Sequence, residues 1–218
     1  MIIAVVNSKG GVGKSTLSVH LAAWLSRHGH RVTLADCDTQ QSSSEWIREA
    51  APSVKAVRLD NADTILNELP ALADEADFVV ADGPGSNTET SRALLLRADR
   101  ALVPAKASML EVRALAKATE VVRQAQNIRK GPPDAFLVLS MVAMRYRLTQ
   151  DMKEAAAALK LPLTTSALIL RQVVADAPGQ GAVVWDMGRR GAESAAEIDA
   201  IFAETVPEAL ILPRKAAG

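Results

Sequence analysis

One cysteine, Cys37, stands alone among 218 residues, so neither an intrachain disulfide framework nor a cysteine-built metal centre can form. At the end of an apolar run it reads as a small buried hydrophobe. No apolar run approaches the ~20 residues that a membrane-spanning helix needs. The opening Met1–Val6 stretch lacks the basic segment and cleavage pattern of a secretory signal. Histidines are few. His20, His28 and His30 flank one helix and its exit, no carboxylate or cysteine pattern joins them, and they are expected to be partly exposed polar residues rather than metal ligands. Net charge is zero, 25 Lys/Arg against 25 Asp/Glu, which argues against a protein that binds nucleic acid over its whole surface. Together these absences predict a cytoplasmic protein.

The charge is nevertheless uneven. From Arg97 onward there are 17 Lys/Arg against 13 Asp/Glu, and before it 8 against 12, an asymmetry that permits a basic face in the second part. The length suits a single domain over residues 1–218, large enough to cover a central sheet on both faces.

Short apolar runs alternate with helical patterns. Ile2–Val6, Arg31–Ala35, Val54–Leu59, Phe78–Ala81, Ala101–Val103 and Phe136–Leu139 read as strands, with Leu161–Thr165 a further short one. Leu17, Leu21, Trp24 and Leu25 recur at helical spacing before Gly29. Further helices are expected over 42–50, 64–73 despite Pro70, 88–97, 110–128, 151–159 and 192–202, and Ala175–Gly181 reads as a loop. The alternation predicts an α/β fold: a doubly wound, mostly parallel sheet with helices on both faces. Ligands of such sheets bind at the carboxyl ends of the strands, where Asp36, Asp38 and Asp82 fall.

The most informative segment is Lys9-Gly10-Gly11-Val12-Gly13-Lys14-Ser15-Thr16, between a buried strand and an amphipathic helix. Three glycines let successive N–H groups point inward at a phosphate chain. The helix adds its unpaired N-terminal amides and the positive end of its dipole. Lys14 supplies a point charge for the β- and γ-phosphates, and the Ser15 hydroxyl is placed to coordinate Mg²⁺. This is a phosphate loop for ATP, with Ser8 in the place of the usual first glycine and an additional lysine, Lys9.

Lys-Gly-Gly-x-Gly-Lys-Ser-Thr is the deviant Walker A motif, and over nearly its whole length the chain resembles the ParA/MinD family of P-loop ATPases, most of all the small ParA proteins of DNA partition. The resemblance implies ATP and Mg²⁺ as ligands and a homodimer closed by ATP, in which Lys9 reaches the partner's nucleotide. Asp36-Cys37-Asp38-Thr39-Gln40 looks like the family's second motif, with Thr39 in place of proline. Asp38 would orient the attacking water and Asp36 would support the Mg²⁺ shell; the other reading is that either one caps the following helix. Asp82, closing a Walker B-like strand before Gly83-Pro84-Gly85, would hold Mg²⁺ through water. Asp176–Gly181 resembles the loop beside the adenine, with Pro178 as its contact, while Ser140-Met141 stands where the family places a base-reading Asn or Thr.

By the same resemblance Arg171, Arg189 and Arg190 are the candidates for contact with non-specific DNA, and a ParB-like partner would stimulate hydrolysis. A basic, amphipathic membrane tail is not evident: Val206–Gly218 has two prolines and only Arg214 and Lys215. With Met1 as the start, an operator-binding domain, and with it operator-specific autoregulation, is not expected. One cysteine cannot bridge an iron–sulfur cluster, and Tyr146 is the sole tyrosine, so an electron donor and a tyrosine autokinase of the superfamily are set aside. The alternatives to DNA partition are a ParA-like ATPase that positions a protein cargo, such as a carboxysome or chemoreceptor cluster, and, further off, a MinD-like or static nucleotide-binding adaptor. The partition reading places the protein on the nucleoid.

Overall fold

A computed structural model describes residues 1–40, 42–85, 89–106, 109–143, 154 and 156–211, with side chains 109–114 and 117 outside the description. Six strands form one sheet: β1 (Ile2–Val5), β2 (Val32–Asp36), β3 (Lys55–Arg58), β4 (Phe78–Asp82), β5 (Arg100–Ala105) and β6 (Asp134–Leu139). Their order is β3-β2-β4-β1-β5-β6, and every pairing is parallel. The helices are α1 (Lys14–Arg27), α2 (Ser42–Ala50), α3 (Ala62–Glu75), α4 (Glu89–Arg97), α5 (Met109–Arg129), α6 (Gln172–Asp176) and α7 (Gly188–Thr205).

Side chains alternate across each strand, so the unbroken apolar runs feed two cores. Ile3, Val5, Leu34, Val80 and Leu102 face α1, α2 and α7, meeting Leu21, Ile47 and Phe202. Ala4, Ala35, Val79, Ala81 and Ala101 face the other way, toward Ile65, Leu69, Leu94 and Val122 of α3, α4 and α5.

Boundaries differ from the sequence reading for identifiable reasons. Strand β5 continues through Pro104, because β1 ends at Val5 opposite Leu102. The side of Pro104 that lacks an N–H therefore has no neighbouring strand to pair with, and its carbonyl accepts from Asn7 Nδ2 at 2.6 Å. Helix α3 runs through Pro70 and is capped by Asn61, which accepts from the Thr64 N–H at 2.8 Å. Leu161–Thr165 contributes only the isolated bridge of Leu163 to Leu137. Within Ala175–Gly181 the chain forms the end of α6 and a 3₁₀ turn at Pro178–Gln180. Of the helix expected over 151–159, residues 154 and 156–158 are helical and 159 is a turn, while 151–153 and 155 lie outside the described residues, as do Thr88, Tyr146, Arg214 and Lys215.

His20 is fully buried, contrary to the expectation of partial exposure. Its Nδ1 meets the Thr16 carbonyl at 2.7 Å, and its Nε2 accepts from the Val184 N–H at 3.2 Å. Trp46 and Trp185 pack on the ring. Burial lowers its pKa to about 4, so the imidazole is a neutral tie between the phosphate-loop helix and the C-terminal segment. Cys37 is buried as expected, and burial raises its thiol pKa well above the ordinary value. Among the described residues no helix is long and apolar enough to cross a membrane.

Candidate functional site

Parallel strands bring the carboxyl ends of β1, β2, β4 and β5 to one edge. Val5 is the register partner of Asp82 and Leu102, and Asp36 is the register partner of Asp82. Around this edge lies a cavity of about 630 Å³, within the range of ligand pockets. Gly10, Gly11, Gly13, Lys14, Ser15 and Thr16 form its phosphate-loop wall. Asp38 and Gly85 enter from the ends of β2 and β4, and Lys106 from the end of β5; Met141 and Leu170 supply an apolar wall. Pro178 is exposed and does not line the cavity.

The loop is anchored from behind. Asn7, 3% exposed, donates to the Pro104 carbonyl and accepts from the Lys9 N–H at 3.1 Å. Gly13 caps α1 at φ 88°, a left-handed conformation that disfavours any side chain. A Cβ there would stand 2.6 Å from Ser140 Oγ. Gly13→Ala is therefore expected to weaken nucleotide binding by about ten- to a hundredfold, since strain of this kind costs of order 1–3 kcal/mol. Titration calorimetry with ADP tests this, and an unchanged affinity would refute the geometry.

The Lys14 side chain is buried, and its Nζ donates to the Lys9 carbonyl at 3.0 Å. Burial lowers its pKa, while the charges of Asp82 and Asp38 oppose that shift. Val12 is buried in the core, so its contribution to a ligand is its backbone. Lys9 is half-buried.

The two acids at the strand ends do different things. The Asp36 carboxylate is committed to backbone: Oδ1 accepts from the Asp38 N–H at 3.2 Å and Oδ2 from the Ser44 N–H at 2.8 Å in the first turn of α2. It thus shapes the loop that carries Asp38 and caps the helix beyond. Asp38 is half-buried and faces the cavity. Asp82 is fully buried. Its Oδ1 accepts from Ser18 Oγ at 2.9 Å, whereas its Oδ2 and the neighbouring Ser43 Oγ make no hydrogen bond. Burial raises the Asp82 pKa to about 6. The Ser15, Ser18 and Ser43 hydroxyls near the carboxylate pull it back, of which only Ser18 closes a hydrogen bond in this geometry, and the Asp36 charge adds to the rise.

A buried carboxylate oxygen without a partner, near the Ser15 hydroxyl, offers the hard oxygen donors that the protein would contribute to a divalent cation. Mg²⁺ is typically held by one or two carboxylates together with substrate phosphates and water. Among the described residues no group of three His, Cys, Asp or Glu side chains is placed to hold a metal ion by itself.

None of the three arginines lines the cavity, although Leu170, next to Arg171, does. Arg171, at the start of α6, is 18% exposed and pairs with Glu197 at 2.7 Å and Glu193 at 3.0 Å. Arg190 is 63% exposed and pairs with Asp176 at 2.9 Å. Arg189 is exposed. Sequence reasoning missed Asn7, Lys106 and Leu170 as site residues. Lys106 carried a usable signal: it is the first charged residue beyond a buried strand, at the same end as Asp36 and Asp82.

Residues 3–184 match the family described as the CobQ/CobB/MinD/ParA nucleotide binding domain. The chain is 32% identical over 212 residues to the maintenance of carboxysome distribution protein A of Halothiobacillus neapolitanus, covering 94% of this chain and 96% of that one. It is 29% identical over 176 residues to the chromosome-partitioning ATPase Soj of Thermus thermophilus, covering 66% and 69%. Among solved structures, the ATP complex of Cyanothece McdA carrying D38A superposes with a TM-score of 0.77 at 18% identity, over 99% of this chain and 98% of that one. The Mg-ADP complex of the septum site-determining protein MinD of Pyrococcus horikoshii gives 0.73 at 17%, over 98% of each. Family match, full-length relative and fold agree, and the chain belongs to the CobQ/CobB/MinD/ParA nucleotide-binding family, in its ParA/MinD branch.

Proposed function

We propose that this protein is an ATP-driven positioning switch of the ParA type, and that what it positions is a protein assembly rather than a replicon. The observation that carries the choice is coverage. The carboxysome-distribution relative matches this chain end to end, 94% against 96%, whereas the chromosome-partitioning relative matches 66% against 69%. The order of the two readings drawn from the sequence is thereby reversed. DNA partition becomes the second reading, supported by the Soj and ParA relatives.

The chemistry is shared by both. Loop amides and Lys14 bind the phosphates of ATP, and Asp82 with Ser15 holds Mg²⁺, which neutralises charge on the β- and γ-phosphates when bound. Asp38 orients the attacking water, held toward the cavity by the Asp36-braced loop. Lys9 reaches across a homodimer to the second nucleotide, so closure and catalysis are coupled.

The dimer holds non-specific DNA of the nucleoid as its track, and a cargo-bound partner protein stimulates hydrolysis and release. Arg189 and Arg190 carry the phosphate contacts. Arg171, already neutralised by two glutamates, fixes α7 in place.

Binding to random duplex DNA should appear with ATP and not with ADP, and should fall steeply with salt. Arg190→Glu should weaken it by about tenfold at low salt, as loss and reversal of one phosphate contact implies. DNA binding that ignores the nucleotide would sink the switch. In cells, deletion of the gene should cluster the protein cargo and leave replicon inheritance intact. Replicon loss with normally spaced cargo would return the partition reading to first place.

A further inference from the structure

We infer that Lys106 is a third phosphate-facing cation of the site, and that it favours the triphosphate over the diphosphate. The inference rests on the reading of the cavity as an ATP site and adds a residue outside its loop motif. Lys106 follows the last residue of β5, the strand hydrogen-bonded to β1, whose exit becomes the phosphate loop. The side chain lines the cavity. Its Nζ lies 3.8 Å from the point a Cβ on Gly11 would occupy, so the ammonium stands directly against the loop backbone.

Among the described residues Lys106 has no hydrogen bond or ion pair. Most arginines placed against the body of the protein do have carboxylate partners: Arg27 with Asp186, Arg58 with Glu45, Arg100 with Glu208. A half-buried ammonium that lines the same cavity as Lys14 and faces a wall of N–H donors is placed to meet an anion that enters.

The position along the loop indicates which phosphate. The helix amides from Gly13 onward take the inner phosphates. The outer end is where the segment after β4 closes on the loop: a Cβ on Gly85 would stand 3.6 Å from Lys14 Nζ and 3.8 Å from Gly10 Cα. Gly11, which Lys106 faces, is next to Gly10. An ammonium there meets a terminal phosphate that ATP has and ADP lacks.

The test is calorimetric titration of wild type, Lys106→Gln and Lys106→Arg with Mg²⁺ and either ATPγS or ADP. Lys106→Gln should lose about tenfold in affinity for ATPγS, the size of one charge-assisted hydrogen bond, and change about twofold or less for ADP. Lys106→Arg should restore most of the loss, and the ATPγS deficit should shrink as salt rises. Retained ADP binding reports that the variant is folded. Equal losses for both nucleotides, or no loss for either, would overturn the inference while leaving the ATP site standing. Failure of the wild type to bind either nucleotide would instead overturn the ATP reading itself, and this inference with it.

Discussion

Asp38→Ala is expected to lower ATP turnover by ~10²- to 10⁴-fold, the ordinary contribution of a positioned proton acceptor, with ATP affinity within about threefold of wild type. The geometry separates the two quantities. The phosphate donors proposed are the loop amides and Lys14, whose Nζ donates to the Lys9 carbonyl rather than to the Asp38 carboxylate. The backbone at Asp38 is fixed by Asp36, while Asp38 Oδ1 accepts from the Gln40 N–H at 3.1 Å and Oδ2 is left for water, so truncating the side chain removes the water-orienting oxygen and one turn hydrogen bond but keeps the Asp36 brace. The Asp38 charge also draws on Lys14, which is why a small change in affinity is allowed. Phosphate release assayed at saturating ATP, beside equilibrium binding of ATP, checks both halves. Turnover reduced less than about tenfold would move the water-orienting role elsewhere. Lost ATP binding would make Asp38 a ligand of the nucleotide rather than of the water. If the proposed positioning cycle holds, with release following hydrolysis, the same variant should remain on DNA.

What the sequence disclosed, and what it hid, follows from how local each interaction is. The phosphate loop is legible because its chemistry is written in consecutive residues whose backbone does the binding. Asp36 and Asp82 are legible because a buried apolar run ending in a carboxylate can only place that carboxylate at a strand terminus. The all-parallel sheet follows from strands buried on both faces. Hidden were the contacts made by distant segments. Asn7 holds the loop through Pro104, 97 residues away. His20 is enclosed by Val184, 164 residues away, and by two tryptophans from other elements. Arg171 looks like a free surface cation until α7 brings Glu193 and Glu197 against it. Lys106 joins the site only because β5 lies beside β1, an adjacency that the order of strands along the chain does not specify. The roles of Asp36 also divide: the sequence offered metal support or a cap, and both carboxylate oxygens are engaged by backbone amides.

The orphaned oxygen of Asp82 carries the largest expected effect on stability. Its pKa of about 6 lies above the ~3.9 of an unfolded aspartate, so between these values the folded protein holds a proton that the unfolded chain has lost. Stability therefore falls as pH rises from about 4 through about 6, and above that range the full penalty of about 3 kcal/mol applies. Asp82→Asn removes the buried charge, keeps an acceptor for Ser18 Oγ, and gives the unpaired Ser43 Oγ an N–H to accept. In the absence of nucleotide and Mg²⁺ the variant should melt higher than wild type at pH 7.5, by about 6–12 °C for a domain of this size. The two should converge near pH 4. The gain is bought from function: with no anionic oxygen to share a cation, Mg²⁺ should no longer tighten ATP binding or support turnover. Melting curves at several pH values, with and without Mg²⁺ and ATP, read both effects on one sample. A variant that melts at or below wild type at pH 7.5 would mean that Asp82 is already satisfied in the free protein. A stabilised variant whose ATP binding still responds to Mg²⁺ would place the cation on other ligands.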